Sequence, residues 1–482
     1  MKTLLKKYPL LFIIAALGLF LRLYKVNTEL LDWHSWRQAD TASVTREFVG
    51  KSLNPLYPTY HDLSNIPSGK DNPNGYRMVE FPFYNVLVAA LIKAVPSLPL
   101  VPTSRVVSAL FSIGTLFCLF FLARSYFGKK VGYLTAFFFA VIPYSIYYSR
   151  VILPEPIMVF FSTLSITAFR FYVLKPKTYL YWISLLALAL AFLLKPFVAF
   201  LLPVYAIILL EERSLKKIIL DFRLYIFAIL AVTPFLLWRE WISQFPEGIP
   251  ASDWLFNSNG IRFRPAWFRW LGYERITKLI LGYVGVIFLP ISFLQQLKNK
   301  KFFIPAWWFG ISLYFIVIAT GNVHHDYYQA ILTPIIALTL GHAVVVLDTF
   351  LNKKFNALVS MGITSTLIIL MLVLSYNQVK GYYNVNHPEY ALAGKAADAI
   401  LPKDAKVIAP QYGGDTAYLF QINRSGWPFG YSIDEKIQLG ATHYVSTSYD
   451  EEAKELEEKY MIIEKTTDYI IIDLTNPREQ NN

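Results

Sequence analysis

The run Leu31-Asp32-Trp33-His34-Ser35-Trp36-Arg37-Gln38-Ala39-Asp40-Thr41-Ala42 follows directly after the first apolar segment of the chain, Tyr8 to Tyr24. It places two carboxylates, an imidazole, a guanidinium and two indoles within about three helical turns. An interfacial anchor helix uses Trp and Arg, but it has no need of His34 and Asp40 beside them. The run therefore indicates a functional site next to a membrane or a plain interfacial anchor, and the positions of the other polar clusters bear on that choice.

The composition indicates a membrane protein. The chain has 482 residues, of which 55% are hydrophobic and only 16% are charged, whereas a soluble domain has about 25% charged residues. Repeated apolar runs of about 17–22 residues predict a polytopic α-helical membrane protein. The net charge of +12 comes mostly from Lys and Arg clusters between these runs, so we attribute it to membrane topology and expect no nucleic-acid partner. The single cysteine, Cys118, lies inside an apolar run and permits no intrachain disulfide.

The apolar segments predict about eleven transmembrane helices with a cytoplasmic N-terminus. No small-residue cleavage site follows the first segment, so we expect it to be retained as a helix. Each loop predicted to be cytoplasmic is short and holds at least two Lys or Arg, which the positive-inside rule favours. Lys195-Pro196 divides the fifth and sixth segments, since a lysine at the bilayer centre would cost roughly 2.5–3.5 kcal/mol.

Two domains follow from the patterning. We predict a transmembrane domain over residues 1–376, with an outer loop at 25–104 that contains interfacial helices, among them the short apolar run Val86 to Val95. A small soluble α/β domain is predicted over 377–482, on the extracytoplasmic side. Its predicted strands are Lys406–Ala409, Thr442–Ser446 and Tyr469–Ile472, and its predicted helices are Asn386–Leu401 and Glu451–Tyr460.

Four unusual polar clusters fall on the outer side in this topology. They are the run from Asp32 to Asp40, Arg150 with Glu155, Lys195-Pro196, and His324-His325-Asp326. Together they supply carboxylates for proton transfer and cations for an anionic head group. They predict a site at the outer membrane face that binds a lipid phosphate and activates a hydroxyl group.

Structural interpretations of the same residues remain open at this point. Glu155 lies between two prolines, where a carboxylate also stabilises a helix N-terminus. Lys195 also suits an anchor that extends its amine to the interface. The adjacent His324 and His325 offer a metal site only with Asp326, which is the one close carboxylate, and Tyr327-Tyr328 suits an aromatic belt.

The motifs His34-Ser35-Trp36-Arg37-Gln38-Ala39-Asp40-Thr41-Ala42 and His325-Asp326-Tyr327-Tyr328-Gln329 resemble those of a bacterial branch of the GT-C glycosyltransferases. The resemblance is to the family 39 type, which includes protein-mannosyltransferase-like and lipid A aminoarabinose-transferase-like enzymes. It implies a GT-C architecture and a sugar donor linked to a polyprenyl phosphate. The chain departs from the family at Arg37 and Gln38, where many members carry Asp-Glu.

The resemblance implies roles for individual residues. Asp40 is the expected general base, with Asp32 second, and Glu155 corresponds to the acid of the second outer loop. Arg150 and Lys195 stand where cations would meet the donor phosphate. The complete predicted set is catalytic Asp40, Glu155 and Asp32, with His34, Arg37, Glu80, Arg150, Lys195, His324, His325, Asp326 and Tyr328 binding substrate.

These features predict an inverting hexosyl- or pentosyltransferase of the bacterial inner (plasma) membrane. It would transfer a sugar from a polyprenyl phosphate to a lipid, glycan or protein acceptor on the outer face of the membrane. The other expected partners are the surrounding membrane lipids. Cations can stabilise an outgoing phosphate, so we expect no cofactor and no metal. The alternatives are a lipid-linked sugar flippase or other transporter, and an O-antigen ligase or polymerase that uses a diphosphate donor.

The topology makes a direct prediction. In whole cells, a membrane-impermeant thiol reagent should label single cysteines introduced at Ser68, Ser258 and Ser425, because these positions lie in the predicted outer segments. A cysteine at Ser214, in a predicted cytoplasmic loop, should stay unlabelled until the membrane is opened. Labelling at Ser214 from outside would overturn the inside–outside assignment.

Overall fold

The structure, a computed structural model, describes residues 2–478. The chain forms two compact units, each assembled from separate stretches. The first, here the helical unit, comprises Met1–Val26, Arg105–Trp238 and Ser252–Gly381. The second, here the α/β unit, comprises Asn27–Ser104, Arg239–Ala251 and Tyr382–Asn482. The division differs from the expected boundaries, because the first long polar loop groups with the C-terminal residues rather than with the apolar helices.

Backbone pairing explains why the polar loop belongs to the α/β unit. Asp62 forms a parallel β-bridge with Gly426. The Leu63 amide donates to the Gly426 carbonyl at 2.8 Å, and the Gly426 amide donates to the His61 carbonyl at 2.8 Å. A loop rich in turn residues has few partners of its own, so the edge of a sheet satisfies its backbone groups.

All eleven predicted apolar segments coincide with helices. Five helices among residues 2–478 are long and apolar enough to cross a membrane, or six if one bent pair is a single span. The other predicted spans are shorter helices, or they share the long helix Leu100–Val141, which Gly128 interrupts at φ 85°. The helices that lie wholly or partly in the helical unit, including 3-10 and π segments, are Lys2–Lys7, Pro9–Arg22, Leu100–Val141, Pro143–Tyr148, Glu155–Leu174, Thr178–Leu194, Pro196–Leu201, Leu202–Glu212, Leu215–Ile219, Phe222–Ile242, Trp254–Asn257, Ser258–Phe263, Pro265–Phe268, Arg269–Ile280, Val284–Ile287, Phe288–Lys298, Phe303–Val317, Ala319–His324, Asp326–Leu332, Thr333–Leu351, Ala357–Val379 and Lys380–Tyr383.

The break at Lys195 has a local cause. The helix Thr178–Leu194 ends there, and Lys195 adopts an extended conformation before the 3-10 segment Pro196–Leu201. A residue that precedes proline is sterically driven out of the helical region, which ends the helix at this point. The structure thus has two separate helical segments on either side of Lys195, as the sequence predicts.

A buried arginine fastens the first apolar helix. Arg22 is fully buried, and its guanidinium donates to the carbonyls of Gly18, Phe139 and Ala140 and to the Ser145 hydroxyl. A cation in an apolar surrounding is costly unless its donors are satisfied. These bonds tie the helix Pro9–Arg22 to the end of the helix Leu100–Val141.

The strands of the α/β unit are β1 Lys406–Ile408, β2 Ser425–Trp427, β3 His443–Ser446, β4 Tyr460–Lys465 and β5 Ile470–Pro477. They form a five-stranded mixed sheet in the order β2-β1-β3-β5-β4. Strand β1 pairs in parallel with β2 and β3, while β5 pairs antiparallel with β3 and β4. The sequence predicts β1, β3 and β5 but misses β2, whose sequence Ser-Gly-Trp has no β-branched residue, and β4, which follows the charged helix directly. The helices of the α/β unit are Ser35–Gly50, Phe83–Ala94, Pro246–Gly248, Pro388–Ile400, Tyr412–Gly414, Ala417–Ile422, Ile433–Gln438 and Glu451–Lys459.

Two helices of the first polar loop pack on each other within this unit. Asn85 of the helix Phe83–Ala94 donates to the Thr41 carbonyl at 2.6 Å and to the Thr45 hydroxyl at 3.0 Å. Both acceptors lie on the helix Ser35–Gly50. The short apolar run predicted to be interfacial is therefore a helix that supports the one carrying Asp40.

Candidate functional site

Asp40 is held on both carboxylate oxygens within the α/β unit. Its Oδ2 accepts from the Arg77 guanidinium at 2.8 Å, and its Oδ1 accepts from the Thr416 hydroxyl at 2.7 Å. The Asp40 side chain is almost completely buried. Three distant segments, the helix Ser35–Gly50, the first polar loop and the C-terminal region, thus meet at one carboxylate. This network fixes the orientation of Asp40.

The residues that stand where the resembling family carries two acids each bind an acid from elsewhere in the chain. Arg37 donates to Glu80 at 2.6 Å, in an ion pair that is almost buried. Gln38 donates through Nε2 to Asp32 Oδ1 at 2.9 Å. His34 adopts φ 56° at the residue before the helix Ser35–Gly50, and its ring contacts Trp33. The sequence-predicted residues of this region therefore form two pairs at the start of one helix, Arg37 with Glu80 and Gln38 with Asp32, and each pair contains one carboxylate.

Two further carboxylates of the α/β unit have raised pKa values. Burial raises the pKa of Asp62 to about 6, an effect to which the negative charge of Asp40 adds and which hydrogen bonds from Ser64 oppose. Burial likewise raises the pKa of Asp415 to about 6. Arg77 also contacts the Tyr60 ring. The surroundings of Asp40 are thus a buried polar cluster of which the sequence analysis identified only Asp40 itself.

In the helical unit, Glu155 and Lys195 form a buried ion pair. Glu155 is the first residue of the helix Glu155–Leu174, and Lys195 Nζ lies 3.4 Å from its Oε1. Within the described residues, neither Glu155 oxygen accepts a hydrogen bond. Glu155 therefore makes no capping hydrogen bond, and its carboxylate keeps open acceptor positions beside one cation.

Asp326 is bound by two tyrosines of the segment Pro143–Tyr148. Tyr148 donates to Asp326 Oδ1 at 2.5 Å, and Tyr144 donates to the Asp326 carbonyl at 2.6 Å. Arg275 lies 3.9 Å from Asp326 Oδ2. These contacts give Asp326 a clear structural role, because they join a helix end to the turn that begins the segment Asp326–Leu332.

The remaining predicted residues of the helical unit lie in two places. Arg150 is fully buried and donates to the Lys25 carbonyl at 3.0 Å. Tyr328 packs its ring against His325 and Phe197. His324 and His325 both contact the Trp254 ring, at 6.1 and 5.5 Å between centroids.

Residues 2–478 contain no group of three or more His, Cys, Asp or Glu side chains placed to hold a metal ion.

The sequence identifies most of the candidate acids but not the residues that bind them. Thr416 lies 376 positions from Asp40 along the chain, so no local spacing connects them. Arg77 stands in a polar loop without periodicity, and Trp254 lies in an aromatic-rich stretch that suits an interfacial belt equally well. For Tyr148 the tyrosine-rich run Tyr144 to Tyr148 was a usable signal, because it directly precedes Arg150 and Glu155.

Part of the chain resembles known protein sequences. The family model described as dolichyl-phosphate-mannose-protein mannosyltransferase matches residues 86–238. An uncharacterised protein of Aquifex aeolicus (strain VF5) is 27% identical over 287 residues, or 57% of this chain, and the match spans 62% of that relative's length.

Solved structures support the same class at the level of the fold. ArnT from Cupriavidus metallidurans bound to undecaprenyl phosphate matches with a TM-score of 0.64 and 12% identity, over 96% of this chain and 98% of that chain. The Archaeoglobus fulgidus oligosaccharyltransferase AglB, in complex with an inhibitory peptide and a dolichol-phosphate, matches with a TM-score of 0.55 and 12% identity, over 92% and 70% of the two chains. The chain has the fold of the GT-C membrane glycosyltransferases, which confirms the predicted fold class.

The raised pKa of Asp62 predicts a pH-dependent effect on stability. The pKa of Asp62 is about 6 in the folded chain against 3.8 ordinarily, so protonation stabilises the fold below about pH 4 and this contribution is lost as the pH rises through 6. Asp62→Asn keeps a neutral acceptor for the Ser64 amide at every pH. The difference in Tm between Asp62→Asn and the wild type should therefore be more positive at pH 8 than at pH 5, in thermal unfolding of the full chain in detergent.

Asp71→Asn is the control for this measurement, because Asp71 is exposed in the same polar loop. Its Tm difference from the wild type should be the same at both pH values. If Asp62→Asn and Asp71→Asn showed the same pH dependence, Asp62 would not be the buried titrating group.

Proposed function

We propose that the chain is a membrane glycosyltransferase that transfers one sugar from a polyprenyl phosphate to a hydroxyl group of a lipid, glycan or protein acceptor. The observation that carries the proposal is the buried Glu155–Lys195 pair of the helical unit. A buried carboxylate without hydrogen-bond donors is rare in folded proteins, and such groups concentrate at functional sites. The GT-C fold and the mannosyltransferase family match support the same reaction class.

Lys195 is proposed to bind the phosphate of the donor. The departing polyprenyl phosphate takes the electron pair of the broken bond to the anomeric carbon, so negative charge grows on its oxygens. An ammonium group held in a partly desolvated place stabilises that charge through a charge-assisted hydrogen bond. With this cation present, the proposed reaction uses no metal ion.

A carboxylate is proposed to accept the proton of the attacking hydroxyl group as the new bond to the anomeric carbon forms. The sequence assigns this role to Asp40, with Asp32 second. The geometry favours Glu155, because within the described residues neither of its oxygens accepts a hydrogen bond, while both oxygens of Asp40 are already bound. Glu155 is therefore our preferred base, and Asp40 is assigned the positioning of Arg77 and Thr416.

The proposed location is the extracytoplasmic face of a bacterial plasma membrane. The distribution of Lys and Arg between the loops supports it.

ArnT bound to undecaprenyl phosphate and AglB bound to a dolichol-phosphate show that proteins of this fold bind polyprenyl phosphates. A diphosphate-dependent ligase is the competing enzyme, and the chemical class of the donor distinguishes the two.

Substitution of the three acids tests the proposal. Glu155→Gln should lower turnover at least about a hundredfold, since removing a general base typically costs 10²–10⁴-fold in rate. Asp40→Asn should lower turnover together with Tm, because it weakens the bond to Arg77, and Asp32→Asn should have the smallest effect. The measurement is the incorporation of radiolabelled sugar from polyprenyl-phosphate donors into the lipid, glycan and protein fractions of membranes.

Glu212→Gln is the matched control, because Glu212 pairs with Arg170 at 2.7 Å in the same unit. It should retain wild-type turnover. If Glu155→Gln kept full turnover while Asp40→Asn lost most of its turnover at unchanged Tm, Asp40 would be the general base instead of Glu155. Wild-type membranes that transfer no sugar from any polyprenyl monophosphate would refute the proposed function.

A further inference from the structure

A cavity of about 460 Å³ lies in the helical unit, apart from the Glu155–Lys195 pair. The volume falls within the range of about 300–1,000 Å³ that is usual for small-molecule sites. Two stretches form its walls, the segment from Trp254 to Arg264 and the helix Ala319–His324 with His325. The lining side chains on which the argument rests are Trp254, Ser258, Arg264, Thr320, His324 and His325.

The cavity is built by specific bonds rather than by an irregular gap between loops. The Ser258 amide donates to the Thr320 hydroxyl at 2.7 Å, which joins the two walls. Asn259 and Gly260 both adopt left-handed backbone conformations, with φ of 55° and 63°. Asn-Gly is the sequence that enters this region most readily, so the chain is suited locally to the turn that shapes one wall.

The lining combines an aromatic surface with cationic and polar groups. The indole of Trp254 is flanked by the rings of His324 and His325. Arg264 contributes a guanidinium, and Ser258, Asn259 and Thr320 contribute small polar groups. No aspartate or glutamate of residues 2–478 lines the cavity. The chemistry therefore suits a ligand that has a flat face with C–H groups and carries negative charge.

We propose that this cavity binds a sugar ring that carries an anionic group such as a phosphate. The ring would pack on Trp254, and Arg264 would bind the anion by charge-assisted hydrogen bonds. The inference rests on the proposed function, because a glycosyltransferase meets such sugars in its donor and in many acceptors. It adds a recognition site for the saccharide, distinct from the phosphate cation Lys195.

Ligand-observed NMR on the full chain in detergent tests the site, with glucose 1-phosphate as the probe. The wild type should bind it saturably, and at least about tenfold more tightly than glucose or inorganic phosphate, because each of these lacks one of the two contacts. Trp254→Ala and Arg264→Gln should each weaken binding of glucose 1-phosphate by about tenfold or more. Unsaturable binding to the wild type would overturn the proposal.

Trp270→Ala and Arg269→Gln are the matched controls, because both residues are exposed in the same unit and do not line the cavity. They should bind glucose 1-phosphate like the wild type. If Trp254→Ala and Arg264→Gln did so too, the cavity would not be the site. Uniform weakening by all four variants would also contradict it.

A polyprenyl-phosphate sugar distinguishes the two sources of the sugar. Its competition with glucose 1-phosphate would assign the cavity to the donor's sugar, and simultaneous binding of the two would assign the cavity to an anionic sugar of the acceptor; either result requires the site. The proposed function is tested separately by transfer from polyprenyl-phosphate donors. Sugar transfer without binding of glucose 1-phosphate would contradict only the proposed cavity site. Binding of glucose 1-phosphate without sugar transfer would contradict only the proposed function.

Discussion

Three segments of the α/β unit meet at one buried carboxylate, that of Asp40. Removing an ion from water costs several kcal/mol, so a buried charge persists only where partners surround it. Here Arg77 and Thr416 approach the two oxygens of Asp40 at 2.8 and 2.7 Å from different parts of the chain. The same contacts that satisfy the carboxylate therefore bring the first polar loop, the helix Ser35–Gly50 and the C-terminal region together.

Two side chains near the start of the helix Ser35–Gly50 bind acids instead of supplying them. Arg37 and Gln38 occupy positions where many proteins of the resembling family carry acids, but each of them binds an acid, Glu80 and Asp32 respectively. Carboxylates thus remain next to the start of the helix even though the helix itself does not supply them. Glu155 differs from these acids, because within the described residues neither of its oxygens accepts a hydrogen bond although Lys195 lies beside it.

Much of the fold could be predicted because its signals are local. Each of the eleven predicted apolar segments is helical, and Pro196 explains the break at Lys195 through the steric effect of proline on the preceding residue. The sequence predicts loop 25–104 as an outer loop of the transmembrane domain. Its pairing with Gly426 involves residues more than 350 positions away, and periodicity carries no information about such a contact. The candidate acids were identifiable by type and position, whereas Arg77, Thr416 and Trp254 became visible only through tertiary contacts.

The proposed function depends on the binding of a polyprenyl-monophosphate sugar through Lys195. Native mass spectrometry of the protein purified from bacterial membranes tests it most directly. We expect a polyprenyl-monophosphate sugar bound to the wild type and to Lys353→Ala, an exposed-lysine control, and its loss from folded Lys195→Ala protein. Exclusive copurification of diphosphate-linked glycans, or equal occupancy in Lys195→Ala, would contradict binding of a monophosphate donor through Lys195.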